Sequence, residues 1–381
     1  MTFQKQLLPA TFSFFLLLGM AFGCSPDQTA PPDLVDSDAT PETRALFENL
    51  DQIRHDHVLF GHQDVLAYGV HWIREDGRSD VKDVTGSHPA LYGWELGHIE
   101  HGAEENLDGV NFEEMQQWIR EGYEGGGVIT ISWHPDNPVS GGSAWDTTPA
   151  VSEILPGGAE HEKFLAWMDR LSVFLQGLQT ADGEMIPVIF RPWHEMNGSW
   201  FWWGRDLCTP EEFHQLWRFT VEYLRDERGH RNLLYAYSTD RFASSEEYLE
   251  RFAGPEYADI MGYDDYGSLH AIDTRDEFVR QLETVVRLAE ERGKIPALTE
   301  SGYNEIPDDT WWTDVYLGGI NHNEVTRRIA YAQVWRNANH ETDRENHHFA
   351  PYEGHSSAEN FVAFRNHPLI LFEDDLPEMY R

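Results

Sequence analysis

"MIPVIFRPWHEMNGSWFWWG", residues 185–204, contains the pattern on which the fold turns. Ile186 to Phe190 is apolar without alternation, as expected of a strand buried on both faces of a parallel sheet. The run then breaks into His194, Glu195 and Asn197, and Gly198 marks the exit into a loop. Three tryptophans, Trp200, Trp202 and Trp203, follow the acid at once.

Seven further runs share this form: 57–61, 90–96, 127–133, 232–238, 258–264, 295–301 and 330–336. The last reads equally as strand or helix. Between the runs lie amphipathic helices. Phe164, Met168, Leu171, Leu175 and Leu178 recur on one helical face. "TPEEF" (209–213) offers a Thr cap, Pro at the first helical position and Glu212 three residues after the cap. Residues 274–293 start in a similar way, turn Phe278, Leu282, Val285 and Ala289 inward and stop at Gly293. About eight strand–helix units predict an α/β fold, a closed (β/α)8 TIM barrel forming a single catalytic domain. No strand is followed by a GxGxxG or P-loop signature.

The composition bounds the partners. Of 381 residues, 28 are Lys or Arg and 66 are Asp or Glu, a net charge of −38 with His neutral. Such a field repels nucleic acid and anionic lipid surfaces, so no nucleic-acid partner is expected. Residues 1–24 read as an export signal, with Lys5 ahead of a short apolar stretch. The stretch ends in Gly23-Cys24 and resembles a bacterial lipoprotein signal, in which Cys24 is lipidated; an ordinary cleaved signal is the other reading. Residues 25–43 are acidic and Pro-rich and read as a tether, and residues 44–381 as the catalytic domain. The protein is thus expected to be exported, to touch a membrane only through the lipid at Cys24, or otherwise to be secreted. Cys208 is left without a disulfide partner, and a monomer is expected.

In a barrel of this type the carboxyl ends of the strands converge on one mouth. Here those ends are polar: Trp133-His134-Pro135 after the third, His194-Glu195-Met196-Asn197 after the fourth, Tyr263-Asp264-Asp265-Tyr266 after the sixth and Thr299-Glu300-Ser301 in the seventh. Glu195 and Glu300 face each other across such a mouth. Two facing carboxyls suit glycosidic cleavage, one protonated to serve the leaving oxygen and one ionised to attack or to activate water. A salt-bridged structural glutamate is the ordinary reading of either one alone. Indole rings beside the proton donor suit the flat C–H faces of sugars, with Trp200 favoured; Trp202 and Trp203 are as readily core packing. Trp311 and Trp312 are expected as a more distal platform.

"FRPWHEMNGSWFWWG" (190–204) with "ALTESGYNE" (297–305) closely resembles glycoside hydrolase family 26, chiefly β-mannanases. Segments 88–100, 131–138, 261–267, 311–319 and 332–338 resemble that family in the same order, so the likeness covers most of residues 57–340. The resemblance implies a retaining double displacement, with Glu195 as acid/base and Glu300 as nucleophile. It implies that Tyr266 hydrogen-bonds the nucleophile, that His134, His194, Trp200, Asp264, Trp335 and Arg336 line the sugar sites, and that Arg191 braces Glu195. The implied partner is a β-mannan polysaccharide cut internally, with no cofactor and no metal. Release of mannobiose from chain ends, or action on mixed-linkage β-glucan or β-1,3-xylan, stays open within the family.

Two other classes compete. "HEMNG" has Gly198 where a zinc protease's HExxH needs its second histidine. The pairs in "HIEH" (98–101) and His347-His348 offer only adventitious metal binding. A non-catalytic glycan-binding lipoprotein needs the aromatic platform but not the paired glutamates. The tail after His340 is expected to pack on the barrel as a closing helix, with "HHFAPYEGH" (347–355) at the edge of the groove.

Overall fold

The computed structural model describes Met1, Thr2 and residues 33–343 and 346–381; the signal and Cys24 lie outside the described residues. Pro32–Arg381 forms one compact unit. Its centre is a closed barrel of eight parallel strands: β1 (Val58–Gln63), β2 (Leu91–Glu95), β3 (Val128–Trp133), β4 (Val188–Pro192), β5 (Leu233–Thr239), β6 (Ile260–Asp265), β7 (Ile295–Ser301) and β8 (Tyr331–Val334). Each pairs with its successor, and β1 closes on β8 in the register Leu59↔Tyr331 to His62↔Val334. The last run is therefore a strand: its neighbours supply a sheet edge on each side, which outweighs its mixed local pattern.

Helices follow the strands as the periodicity implies. Phe112–Glu124 follows β2 with Asn111 as cap, His161–Gln176 follows β3, Pro210–Glu222 follows β4 and Arg275–Glu291 follows β6. Thr209 and Glu212 form the expected capping box. Thr274 does not cap its helix: its hydroxyl donates to the carbonyls of Ser268 and Ala271, holding the preceding loop instead. Gly293, at φ +64°, ends that helix in the left-handed conformation glycine adopts without strain. The tail supplies the closing helix Ala358–Arg365, whose Phe361 and Phe364 pack on Phe60 of β1.

Residues 33–43, assigned above to the tether, are packed on the barrel. The Val35 amide donates to Asp259, Arg231 pairs with the buried Asp36, and Thr40 caps the helix Pro41–Ile53. Leu46, Phe47 and Leu50 of that helix join Leu59, Leu91, Val128, Ile189, Leu234 and Ile260 of the strands in one apolar cluster. These strand residues lie toward the amino ends, so the helix stoppers the lower end of the barrel and leaves the opposite mouth for chemistry. The Pro-rich composition that reads as linker instead ends in a helix with Pro at its first position.

Candidate active site

The loop after β4 is held by its own aromatic side chains. Trp193 and Glu195 take positive φ, +52° and +54°, a conformation costly for residues with a Cβ. Neighbours over-determine it: the Glu195 amide donates to Ser238 O of β5, and Trp193 Nε1 donates to Thr220 Oγ1. Asn197 braces the β4 and β5 loops, donating to Asp240 O and Arg241 O and accepting from the Asp240 amide. Trp202 and Trp203 are fully buried and donate to Pro135 O and His194 O, so both are scaffold. Trp200 is the exposed member, at 38%, and its Nε1 donates to Glu195 Oε2 at 2.7 Å. A Cβ on Gly198 would sit 2.4 Å from the Trp200 ring, so only glycine lets the indole close on the acid.

Glu300 is placed by an irregularity between β6 and β7. Tyr263 pairs with Leu298 but Asp264 with Glu300, so Thr299 is extra and its hydroxyl donates to Asp264 Oδ1 at 2.8 Å. Tyr266 Oη donates to Glu300 Oε1 at 2.7 Å, and Arg191 Nη2 pairs with Glu300 Oε2. Arg191 Nη1 also pairs with Asp264 Oδ2 at 2.8 Å. Arg191 was expected to brace Glu195; it serves Glu300 and Asp264 instead, because the barrel brings β6 and β7 under its guanidinium.

Glu195 and Glu300 share one cleft of about 450 Å³ with His134, His194, Trp200, Tyr266 and Trp335. Two other expected lining residues are not on its wall. Asp264 is wholly buried beneath the floor and accepts from Arg191, Ser238 and Thr299. Arg336 is buried against Asp108 and Asp343, at 2.7 Å from each. Both bury their charge because complementary partners lie closer than the open cleft. Trp311 and Trp312 form no distal platform: both are fully buried, with Trp311 donating to Leu269 O and Trp312 packed on Phe60 and Phe361.

The sequence reading missed Trp145, 51% exposed, which lines the cleft and stacks on His134 at 5.4 Å and 11°. It lies in a Gly/Ser-rich loop without periodicity, so an unpaired tryptophan between polar residues was its only signal. Phe201, Asn304, Asn346 and Phe349 also line the cleft. Glu95 was missed as well, although it too ends a strand. It accepts from the Gly97 and His134 amides, Ser132 Oγ and His134 Nδ1.

The electrostatics separate the two glutamates. Burial, then the charges of Asp264, Glu300 and Asp240, push the Glu195 carboxyl well above the ordinary carboxylate range, against the Trp200 hydrogen bond. No Lys or Arg among the described residues pairs with it, whereas Glu300 has Arg191. Burial, with Arg191 and His134 adding to it, pushes His194 well down and keeps it neutral. Burial opposes the ionised form of Glu95, but His134 holds it at about 2, and burial likewise opposes the charge of His134, which Glu95 raises. One acid thus favours its proton while its neighbour has a guanidinium and a phenol to hold negative charge.

Comparison with known proteins gives the family of the chain. Residues 35–338 match the profile of glycosyl hydrolase family 26. A mannan endo-1,4-β-mannosidase of Bifidobacterium adolescentis is 38% identical over 280 residues, which is 71% of this chain and 28% of that protein. One from Bacillus subtilis strain 168 is 32% identical over 199 residues, 49% of this chain and 52% of that protein. The chain therefore spans between about a quarter and a half of those relatives. A GH26 β-mannanase structure from Bacteroides ovatus superposes with a TM-score of 0.85 at 43% identity, covering 90% of this chain and 98% of that one. A modular endo-β-1,4-mannanase from Cellulomonas fimi gives 0.83 at 36% identity, covering 91% and 79%.

Proposed function

The chain belongs to glycosyl hydrolase family 26, and on that premise we propose that it is a retaining endo-β-1,4-mannanase acting on mannan, glucomannan or galactomannan. The observation that carries this reading is the pair of glutamates in one cleft with opposite surroundings. Glu300 attacks the anomeric carbon while Glu195 gives its proton to the departing oxygen, forming a glycosyl ester on Glu300. Glu195, now ionised, takes a proton from water, and that water attacks the same carbon and releases the sugar. Arg191 and Tyr266 hold one Glu300 oxygen each and orient the attack. Trp200, Trp145 and Trp335 supply faces for sugar rings, and His134 and His194 offer ring nitrogens at their edges.

Proton NMR of mannohexaose cleavage tests both chemistry and substrate. The β-anomer should appear first at the new reducing end; first appearance of the α-anomer would refute retention. Internal cleavage predicts a falling viscosity of mannan and a spread of oligosaccharides. Mannobiose alone would refute the endo assignment, and faster cleavage of mixed-linkage β-glucan or β-1,3-xylan would refute the substrate class.

We further propose that the protein acts outside the cytoplasm as a monomer, held at the cell envelope by a lipid on Cys24. The signal-like residues 1–24 and the acidic segment after them support this. Mass spectrometry of protein from the native membrane fraction should give an N-terminal acylated Cys24; an unmodified Cys24 still preceded by residues 1–23 would refute it.

A further inference from the structure

The pair of histidines in "HIEH" is not used by the chemistry above, and the structure separates its members. His98 and His101 have ring centroids 6.3 Å apart, but His101 Nε2 lies 2.9 Å from Asp136 Oδ2 and 3.7 Å from Glu100 Oε1. One ligand atom from each of Glu100, His101 and Asp136 falls within 4.8 Å of the others. Ligands about 2.1 Å from one cation lie about 3.0–3.4 Å apart in octahedral or tetrahedral geometry, so these spacings bracket a single ion.

The charge accounting points the same way. The Glu100 side chain is wholly buried, and among the described residues its only ion-pair partner is His101. Asp136 N and Trp133 Nε1 donate to its two oxygens, while Arg170 donates to its backbone carbonyl and not to the carboxylate. Among the described residues no guanidinium or ammonium lies beside this buried carboxyl, whose hydrogen-bond donors are an indole and an amide. His101 and Asp136 are 44% and 20% exposed, leaving a solvent side for water ligands. The comparable cluster of His194, Asp264 and Glu300 already holds the guanidinium of Arg191 and has no such deficit.

We infer that Glu100, His101 and Asp136 bind a divalent first-row cation, with Zn²⁺ the fitting probe, outside the cleft. One imidazole and two carboxylates suit zinc better than Ca²⁺, which takes six to eight oxygens. The ion ties the turn Ile99–His101 after β2 to the β3 loop, two residues beyond His134. Its role is structural, and glycosidic cleavage needs no metal.

The test is calorimetric titration of ZnCl2 into the full chain after EDTA treatment and desalting. One equivalent should bind, at least about tenfold more weakly in His101→Ala and in the isosteric Asp136→Asn. Saturation at a hundred times Kd should raise Tm by about 4 °C for a chain of this size, and CaCl2 at the same concentration should not. Both variants should keep the metal-free Tm within about 2 °C and hydrolyse mannan at wild-type rates. No zinc binding, unchanged binding in either variant, or a larger shift with Ca²⁺ would overturn the assignment.

Discussion

Replacing Trp200 with Phe removes one hydrogen bond from the proposed proton donor, Glu195, and leaves an aromatic ring in the cleft. Trp200 Nε1 lies 2.7 Å from Glu195 Oε2 and favours the ionised form of a carboxyl that burial holds protonated. A hydrogen bond to a charged group contributes about 1.5–3 kcal/mol, and one pKa unit corresponds to about 1.4 kcal/mol. If the bond formed only with the carboxylate, its loss would raise the acid by about one to two units. The indole also meets an oxygen of the protonated carboxyl, so the smaller figure, about one unit, is expected. The sign follows directly: a raised acid stays protonated to higher pH. The alkaline limb of kcat/KM against pH should therefore move up by about one unit, while the plateau falls from poorer stacking. The assay is release of reducing ends from mannopentaose between about pH 4 and 10, for both proteins. A limb that stays in place, or moves down, would refute the claim that Trp200 tunes the acid.

Four further outcomes are expected. Tyr266→Phe, which deletes the phenol on Glu300, should lower kcat about 10- to 100-fold on the same assay with the alkaline limb unmoved. Arg191→Met leaves Asp264 and Glu300 buried without their cation and should cost about 3–5 kcal/mol in urea unfolding as well as activity. Stability should also depend on pH. Burial first raises Asp240 and Asp259 to about 6, so between their unfolded value near 3.8 and that pH the native state binds more protons and stability falls as pH rises. Glu95 is depressed to about 2, so its contribution is complete above its unfolded value near 4.5 and lost as pH falls through 2; calorimetry should find the Tm of Glu95→Gln falling less than that of the parent between about pH 4.5 and 2. Raising NaCl from about 10 mM to 0.5 M at pH 8 should raise Tm, because a net charge of −38 repels itself less when screened; a flat response would refute that reading.

The strands were legible because their burial on two faces leaves an uninterrupted apolar signature, and both glutamates were legible because each breaks such a run at its carboxyl end. What a linear pattern does not give is which charges meet. Arg191 and Glu300 are 109 positions apart, and only the curvature of the closed sheet decides that the guanidinium reaches Glu300 and not the nearby Glu195. Asp264 and Arg336 are cleft residues by the family resemblance, yet a bulge and two local acids turn them inward. Trp311 and Trp312 failed for a related reason. A π-helical turn over Trp312–Leu317 aims the neighbouring rings at the barrel wall and at the tail helix, contacts that no periodicity of 3.6 announces. Trp145 shows the converse, a cleft-lining ring carried by a loop with no pattern at all.

Under the proposed mechanism, the placement of Arg191 also bears on how one acid serves two steps. Its guanidinium is shared between Asp264 and Glu300, and none of its hydrogen bonds reaches Glu195. In the free enzyme Glu195 therefore meets burial and like charges together, and keeps its proton for the leaving oxygen. Formation of an ester on Glu300 removes one of those negative charges while Arg191 remains. The field at Glu195 then becomes less negative, its affinity for a proton falls, and the ionised form needed to activate water is the favoured one. Had the arginine paired with Glu195, the acid would have been ionised before the first step and the nucleophile left without its counter-charge. The exchange of roles requires the cation on the glutamate that loses its charge, and that is where the barrel puts it.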